Sequence, residues 1–498
     1  MSHTNEFESV DQIVLELKSI ANRAFLEGQA IDQTERVIYQ QLMKLGHELL
    51  SSMIRKAGDG DTGPSIEKNG RDYKRLSKRP RRYRSIFGDL RFERFVYGTR
   101  ENEAIQAIPI DEHFGLPEHE YSLVLESWVG MLATDTSFHR AVERLDAILA
   151  IKVPIDSSER IEGRLGKSAA SVLEHQPAID RDIEAEILVQ TSDNKGIPMV
   201  RPVRNTKPVG APLERMGPEP DKKQMACMAG VYTVPKNPRT PKQIIDALFR
   251  VPSQNREDRI DVSPRNPRYF AAITKHDSMG KTIGLTAEEK AQQWMTVNTM
   301  RRYKRGQTIV VMHDGQPSLW NCEAAYQEGW DKVEILDLLH VLPRIWASAK
   351  IIRPEEVESF VKEQLLLLLT GCFQLMISPL KNYLRRKGVS KAQDSELRRI
   401  ISYLESNRDR MKYNEYLAAG LPIATGFIEG ACRHIIKDRM EQSGMRWKEK
   451  GAESMLNLRC IDASQLWEIT IDHHRDLSLA KYGKQRRNFS ECFTSMAA

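Results

Sequence analysis

Apolar positions along the chain fall into blocks with helical spacing and blocks with strand-like alternation. In residues 1–55, Val10, Ile13, Val14, Leu17 and Ile20 recur at helical intervals. The polar stretch from Gly58 to Ser65, rich in Gly and Asp, reads as a linker. Residues 83–87 and 90–97 alternate as two strands, with Gly88-Asp89 between them as a two-residue hairpin turn. Helical spacing returns over 120–176. One helix is predicted over 138–150, with Ala141, Leu145 and Leu149 on its apolar face, and it stops at Val153-Pro154. Another begins at Asp156, where Glu159 completes a capping-box pattern. Helix, short turn and helix together are similar to a helix-turn-helix.

Beyond residue 183 the pattern becomes strand-like. Residues 187–191 lead to Asp193, with a turn predicted at Asn194-Lys195-Gly196 and a return over 197–203. Pro198 and Pro202 would confine that return to a sheet edge. Residues 225–234 read as a further strand, 235–268 are rich in proline and charge, and 269–274 and 282–285 are short strand candidates. The β-branched run from Thr308 to Met312 predicts a strand covered on both faces, ending in His313-Asp314-Gly315. A short strand over 333–336 ends at Asp337, helices follow over 338–414, residues 421–426 break the pattern, and a last helix covers 427–442. The apolar run 365–377 is shorter than the roughly 20 residues a membrane span needs and reads as a buried helix.

Composition narrows the class. The chain has 498 residues, 40% of them hydrophobic and 29% charged, which excludes a wholly disordered chain and a disulfide miniprotein. The 74 Lys and Arg exceed the 68 Asp and Glu by a net charge of only +6. Any nucleic-acid role must therefore come from local clusters. Six cysteines with no CxxC pair, and a start without a leader pattern, give the expectation of reduced thiols in a cytoplasmic protein with no membrane span.

Local clusters exist. Arg71, Lys74, Arg75, Lys78, Arg79, Arg81, Arg82 and Arg84 precede and enter the hairpin and would suit a nucleic-acid backbone, or simply a charged edge that prevents aggregation. Arg160, Arg164 and Lys167 share one face of the helix beginning at Asp156 and are candidate phosphate contacts. Arg301, Arg302, Lys304 and Arg305 form another cluster. On the last helix and just after it, Arg433, Lys437 and Trp447 are candidates for holding DNA beside a site. Trp320 could stack on a DNA base but reads rather as core. Asp472-His473-His474 has no partner at a zinc-site spacing and reads as solvated tail.

Two acids stand at strand ends. By alternation Asp193 lies on the face of Val189 and Thr191, and Asp314 on that of Val310 and Met312. If those strands are parallel neighbours, both carboxylates project from the sheet edge where α/β proteins form their sites. Glu429, near the start of the last helix, borders the apolar face of Ile428, Cys432, Ile435, Ile436 and Met440. Converging carboxylates repel unless cations neutralise them. Mg²⁺ accepts such oxygen ligands, and two ions can clamp the attacking and leaving oxygens of a phosphoryl displacement, with Mn²⁺ an alternative. A metabolic α/β enzyme is disfavoured, since no Gly-rich phosphate loop follows a strand candidate.

Five separated motifs bear a resemblance. They are Asp193-Asn-Lys-Gly-Ile-Pro-Met199, Asp314-Gly-Gln-Pro-Ser-Leu-Trp320, Ile335-Leu-Asp-Leu-Leu-His340, Leu421-Pro-Ile-Ala-Thr-Gly-Phe-Ile-Glu-Gly-Ala-Cys432 and Lys437-Asp-Arg-Met-Glu-Gln-Ser-Gly-Met-Arg-Trp447. In order and spacing the chain resembles, over roughly residues 80–470, the prokaryotic insertion-sequence transposases of the ISKra type, which belong with the Mutator-like DDE transposases. The resemblance implies an α/β fold whose core is a ribonuclease-H-like mixed sheet with a helical insertion, behind an N-terminal, mainly helical DNA-binding region. It implies Asp193, Asp314 and Glu429 as catalytic, metal-binding acids, and Asp337 with His340 as an Asp-x-x-His pair. On one helical turn that pair would face one way, either to orient DNA or the second acid or simply to satisfy the helix start. Asn194 departs from the small residue expected after the first acid.

The expected organisation is a helical region and linker at 1–70 and a DNA-binding region at 71–182. Core segments follow at 183–344 and 416–470 around an insertion at 345–415, with a tail at 471–498. The expected activity is cutting element ends and joining 3′ ends to target DNA, by a homodimer or larger assembly. A nuclease without strand transfer and an inactive DNA-binding derivative are the rival expectations.

Overall fold

The computed structural model describes residues 7–200, 223–251, 262–277, 281–386, 388–442, 444–480 and 482. Residues 201–203 of the predicted return strand, with Pro202, and Cys492 lie outside the described residues. The chain is mixed α/β and divides into two compact units, one made of Met1–Ser168 with Glu468–Ala498 and the other of Ala169–Trp467.

In the first unit, α1 (Glu8–Glu27) packs on α2 (Ile31–Ala57), and Gly28 at φ 61° closes α1 in the left-handed conformation a glycine adopts without strain. Strands β1 (Ser65–Lys68) and β2 (Arg71–Arg75) form a hairpin. A separate two-stranded ribbon consists of β3 (Arg79–Ser85) and β4 (Gly88–Arg94). The ribbon turns at Ile86-Phe87, two residues earlier than expected, because Ser85 pairs with Gly88 and Asp89 is drawn into the strand. There the Asp89 carboxylate accepts hydrogen bonds from Arg84, at 3.0 Å, and from Arg82. Strands β5 (Tyr97–Gly98) and β6 (Ile105–Ala107) complete the β1–β2 sheet. Helices α3 (Pro109–Phe114), α4 (Leu123–Asp135), α5 (Phe138–Leu149) and α6 (Ile155–Glu174) follow, so the predicted helical layout is present.

Residues 471–480 are not a solvated tail. They belong to the helix Trp467–Ala480, and His474 is buried: its Nε2 lies 3.1 Å from the Glu126 carboxylate and its Nδ1 2.9 Å from the Ser168 hydroxyl. Burying Glu126 without partners would cost several kcal/mol, and Arg164, His119 and His474 supply them.

The second unit is built on a five-stranded sheet. Its strands are β7 (Ile187–Pro198), β8 (Lys223–Val234), β9 (Arg265–Ile273), β12 (Thr308–His313) and β13 (Val333–Leu336), in the spatial order β13-β12-β7-β8-β9. Strands β7, β8 and β9 are antiparallel, while β12 and β13 run parallel to β7. Between them lie α7 (Pro241–Leu248), the small hairpin of β10 (Lys275–His276) and β11 (Thr282–Ile283), α8 (Ala287–Arg302) and α9 (Pro317–Tyr326). Leu188, Cys227, Ala229 and Val231 face α8 on one side, and Ile187, Val189, Val310 and Met312 face a second core on the other.

The expected turn at Asn194-Lys195-Gly196 is absent. Strand β7 continues through it, because β8 pairs with β7 residue by residue from Ile187 opposite Val234 to Pro198 opposite Lys223. The second core is closed by α10 (Leu338–Ile352), α11 (Val357–Leu369), α12 (Phe373–Leu384), α13 (Lys391–Ser406) and α14 (Tyr413–Ala418), the helical segment expected between the second and third acids. The apolar run 365–377 is shared by α11 and α12, which separate at Gly371 with φ 80°. Among the described residues no helix is long and apolar enough to cross a membrane, and Cys227, Cys322, Cys372, Cys432 and Cys460 are free thiols.

Candidate active site

Strands β7 and β12 run parallel, with Thr191 beside Met312 and Ser192 beside His313. The next residue on each strand is an aspartate, so Asp193 and Asp314 emerge side by side where the parallel pairing ends, on the face covered by the helical core. The proximity registers in the chemistry of Asp193. Burial raises its carboxyl above the ordinary value, the charge of Asp314 adds to the rise, and His340, the Asn194 N–H and the Cys432 thiol act against it. The Asn194 N–H donates to Asp193 Oδ1 at 2.8 Å. Asp314 Oδ1 accepts the Gln316 N–H at 2.8 Å, and the Trp320 indole, buried as expected, donates to the Asp314 carbonyl at 2.7 Å.

Glu429 sits in the first turn of α15 (Gly426–Ala431), which continues as a π-helical turn over Cys432–Lys437 and ends at Met440. π-Helical turns within α-helices concentrate at functional sites. The helix is set on the sheet by Phe427, whose ring stacks on Tyr269 at 4.8 Å and packs against Tyr232 at 4.1 Å. Gly230 on β8 makes room for that ring, since a Cβ there would collide with it. Glu429 is exposed; burial is the main reason that the Asp337 carboxyl and the Cys432 thiol stand above their ordinary values, and the charge of Glu429 adds to both. Cys432 also feels Asp193, so this thiol lies between Asp193 and Glu429.

Asp337 is buried where β13 passes into α10. Its Oδ1 accepts the Leu339 N–H at 2.8 Å and its Oδ2 the Thr425 N–H at 3.1 Å. His340, one turn later, influences both Asp193 and Asp337. The helical insertion contributes Tyr403, whose ring lies over Gly315, and Arg344, whose guanidinium lies 3.4 Å from the centre of that ring. Burial, with the nearby Asp314 and Asp337, pushes the Tyr403 phenol up to about 12. Sequence reasoning missed Tyr403 and Arg344, and no spacing signal marks them. Cys432 was read only as part of an apolar face, although it stands three residues after Glu429 on the same helix.

Asp193 and Asp314 offer hard oxygen donors where the pairing of two adjacent parallel strands ends, which suits an ion such as Mg²⁺ that takes one or two carboxylates and keeps waters and phosphate oxygens. Among the described residues, however, no three His, Cys, Asp or Glu side chains are grouped to hold a metal ion. Glu429 acts on Cys432 and Asp337 and closes no ligand set with the aspartate pair among the described residues.

The candidate DNA contacts divide. Arg433 and Lys437 are exposed on the helix of Glu429, and Arg160 and Lys167 are exposed on α6. Trp447 is not available for stacking on a base. It is buried, its indole donates to the Met440 carbonyl at 3.1 Å, and its backbone extends the end of β7 through Pro198 and Val200. Arg164 likewise turns its guanidinium onto Glu126. Arg302 is buried against Glu184 at 2.8 Å. In the basic ribbon Arg79 pairs with Glu101, Arg82 and Arg84 with Asp89, and Arg94 with Asp111, whereas Arg91 there, and Arg71 and Lys74 on β2, are exposed. The sequence matches no family model and no curated protein.

Proposed function

We propose that this chain is a DDE-type DNA transposase with a ribonuclease-H-like core. The observation that carries the reading is the placement of two aspartates at the matching ends of adjacent parallel strands, on one face of a mixed sheet ordered β13-β12-β7-β8-β9. Three antiparallel strands followed by two parallel ones, with an acid on the first and another just after the fourth, are the arrangement expected of that core. The third acid, Glu429, arrives on a helix after a helical insertion and acts on the Cys432 thiol, which also feels Asp193.

In this reading Asp193 and Asp314 hold Mg²⁺, with Mn²⁺ an alternative, and Glu429 faces the same space. When bound, such ions supply charge neutralisation at the attacking and leaving oxygens of a phosphodiester. The chain's own residues fix geometry. The paired strands keep the two carboxylates adjacent, and the Asn194 and Gln316 N–H groups hold one oxygen of each. Arg433 and Lys437, exposed beside Glu429, are placed to meet DNA phosphates. End recognition falls to the first unit, with Arg160 and Lys167 as phosphate contacts. The joining of two DNA ends calls for a homodimer or larger assembly.

One observation favours a second reading, an inactive DNA-binding derivative: the absence of a three-ligand group among the described residues. The deciding experiment incubates the full chain and Mg²⁺ with DNA fragments flanking its own coding sequence. A transposase nicks at the element boundary and joins the 3′ end to a supercoiled target. Cutting without joining identifies a nuclease. Specific binding without cutting, in Mg²⁺ and in Mn²⁺, identifies the derivative.

A further inference from the structure

We infer that Asp337 is a positioning residue that sets the helix carrying Glu429, and that it acts through that helix and not as a ligand. This rests on the functional reading above. Asp337 is 2% exposed and joins two segments far apart in the chain. Its Oδ1 caps α10 through the Leu339 N–H at 2.8 Å, while its Oδ2 takes the Thr425 N–H at 3.1 Å. The adjacent Leu338 N–H donates to the Ile423 carbonyl at 2.9 Å, so residues 423–425 are stitched to the start of α10 at two points.

Thr425 is the residue from which α15 starts. Its hydroxyl accepts the Ile428 N–H at 3.3 Å, and Glu429 follows one residue later. The direction of α15 out of residues 421–425 therefore depends on where Asp337 holds Thr425. Removing the carboxylate leaves a buried N–H without its acceptor, and the helix start loses its tie to the strand that neighbours Asp314.

The test separates the two bonds. In Asp337→Ser the hydroxyl still caps α10, since serine is a good N-cap, but it no longer reaches Thr425. Hydrogen exchange in the full chain should then quicken roughly tenfold or more across residues 425–431, while exchange at the start of α10 and in β7 is unchanged. Unchanged exchange across 425–431 overturns the inference. Asp337→Thr, whose hydroxyl likewise caps α10 without reaching Thr425, serves as the second variant should the serine form fail to fold, with the same expected and overturning results.

Binding of Mn²⁺ alone provides a readout that a purely structural role would not move. Half-saturation should need several-fold more Mn²⁺ in Asp337→Ser, and no further increase should follow when that change is added to Glu429→Gln. Fully additive losses would make Asp337 a direct ligand and overturn the positioning role. If the unaltered chain binds no Mn²⁺, the proposed function fails, while the exchange measurement still decides whether Asp337 positions α15.

Discussion

Nδ1 of His313 accepts two hydrogen bonds from Ser192, one from its backbone N–H at 3.2 Å and one from its hydroxyl at 3.0 Å. The two residues are register partners on β12 and β7, and each immediately precedes an aspartate of the candidate site. This clamp fixes the stagger of the strands at the point where the stagger decides whether Asp193 and Asp314 are adjacent. Trp320 supports it from the side, its ring 4.8 Å from the imidazole and edge-on at 71°.

The clamp requires a neutral imidazole. Burial is the main reason that His313 is pushed down from 6.5 to about 3. The folded state thus resists protonation while the unfolded chain accepts it. This group's stabilising contribution is full above about 6.5 and is lost as pH falls from there toward about 3, with a slope of about 1.4 kcal/mol per pH unit. Urea unfolding between pH 7 and pH 4 should show that slope, and His313→Phe, although less stable at neutral pH, should lack it. An identical slope in both proteins would remove His313 as its source.

Asp193 works in the opposite sense. Its carboxyl is raised by burial and by Asp314, so its stabilising contribution is full below the ordinary 3.8 and is lost as pH rises through the raised value. Asp193→Asn should therefore stabilise the chain at pH 7, by about 0.5–2 kcal/mol, and confer little at pH 4. Urea midpoints at the two pH values check this, and destabilisation at pH 7 would contradict it.

Gly230 and Gly315 are expected to resist substitution for one shared reason. A Cβ on either meets an aromatic ring of the helical layer, Phe427 in the first case and Tyr403 in the second. Overpacking of this kind costs about 1–3 kcal/mol. Gly230→Ala should lower the melting temperature and displace the helix of Glu429, and Gly315→Ala should disturb Asp314. Thermal melting of both variants, with exchange across residues 425–431 for the first, reads the effect.

Some of this site was legible from residues alone. Alternation places Asp193 with Val189 and Asp314 with Val310, and these valines do share one core. The run from Thr308 to Met312 is β-branched and apolar because it is covered on both faces. What escaped depends on partners distant in sequence. Strand β7 runs through Asn194-Lys195-Gly196 because residues 223–234 pair along its whole length, and local turn chemistry carries no trace of that pairing. Arg164 turns inward because Glu126 lies 38 residues earlier, and His474 reaches the same carboxylate across 348 residues. Trp447 is basic-flanked in sequence, yet Pro198 and Met440 take its polar groups and close it into the core.

A direct test of the paired aspartates is calorimetric titration of Mn²⁺ into the full chain and into Asp193→Asn and Asp314→Asn, with folding checked by circular dichroism. The unaltered chain should bind Mn²⁺ saturably, and each variant, still folded, should lose that binding by tenfold or more. Equal binding by all three proteins, or none by the unaltered chain, would contradict a shared cation pocket at the ends of β7 and β12.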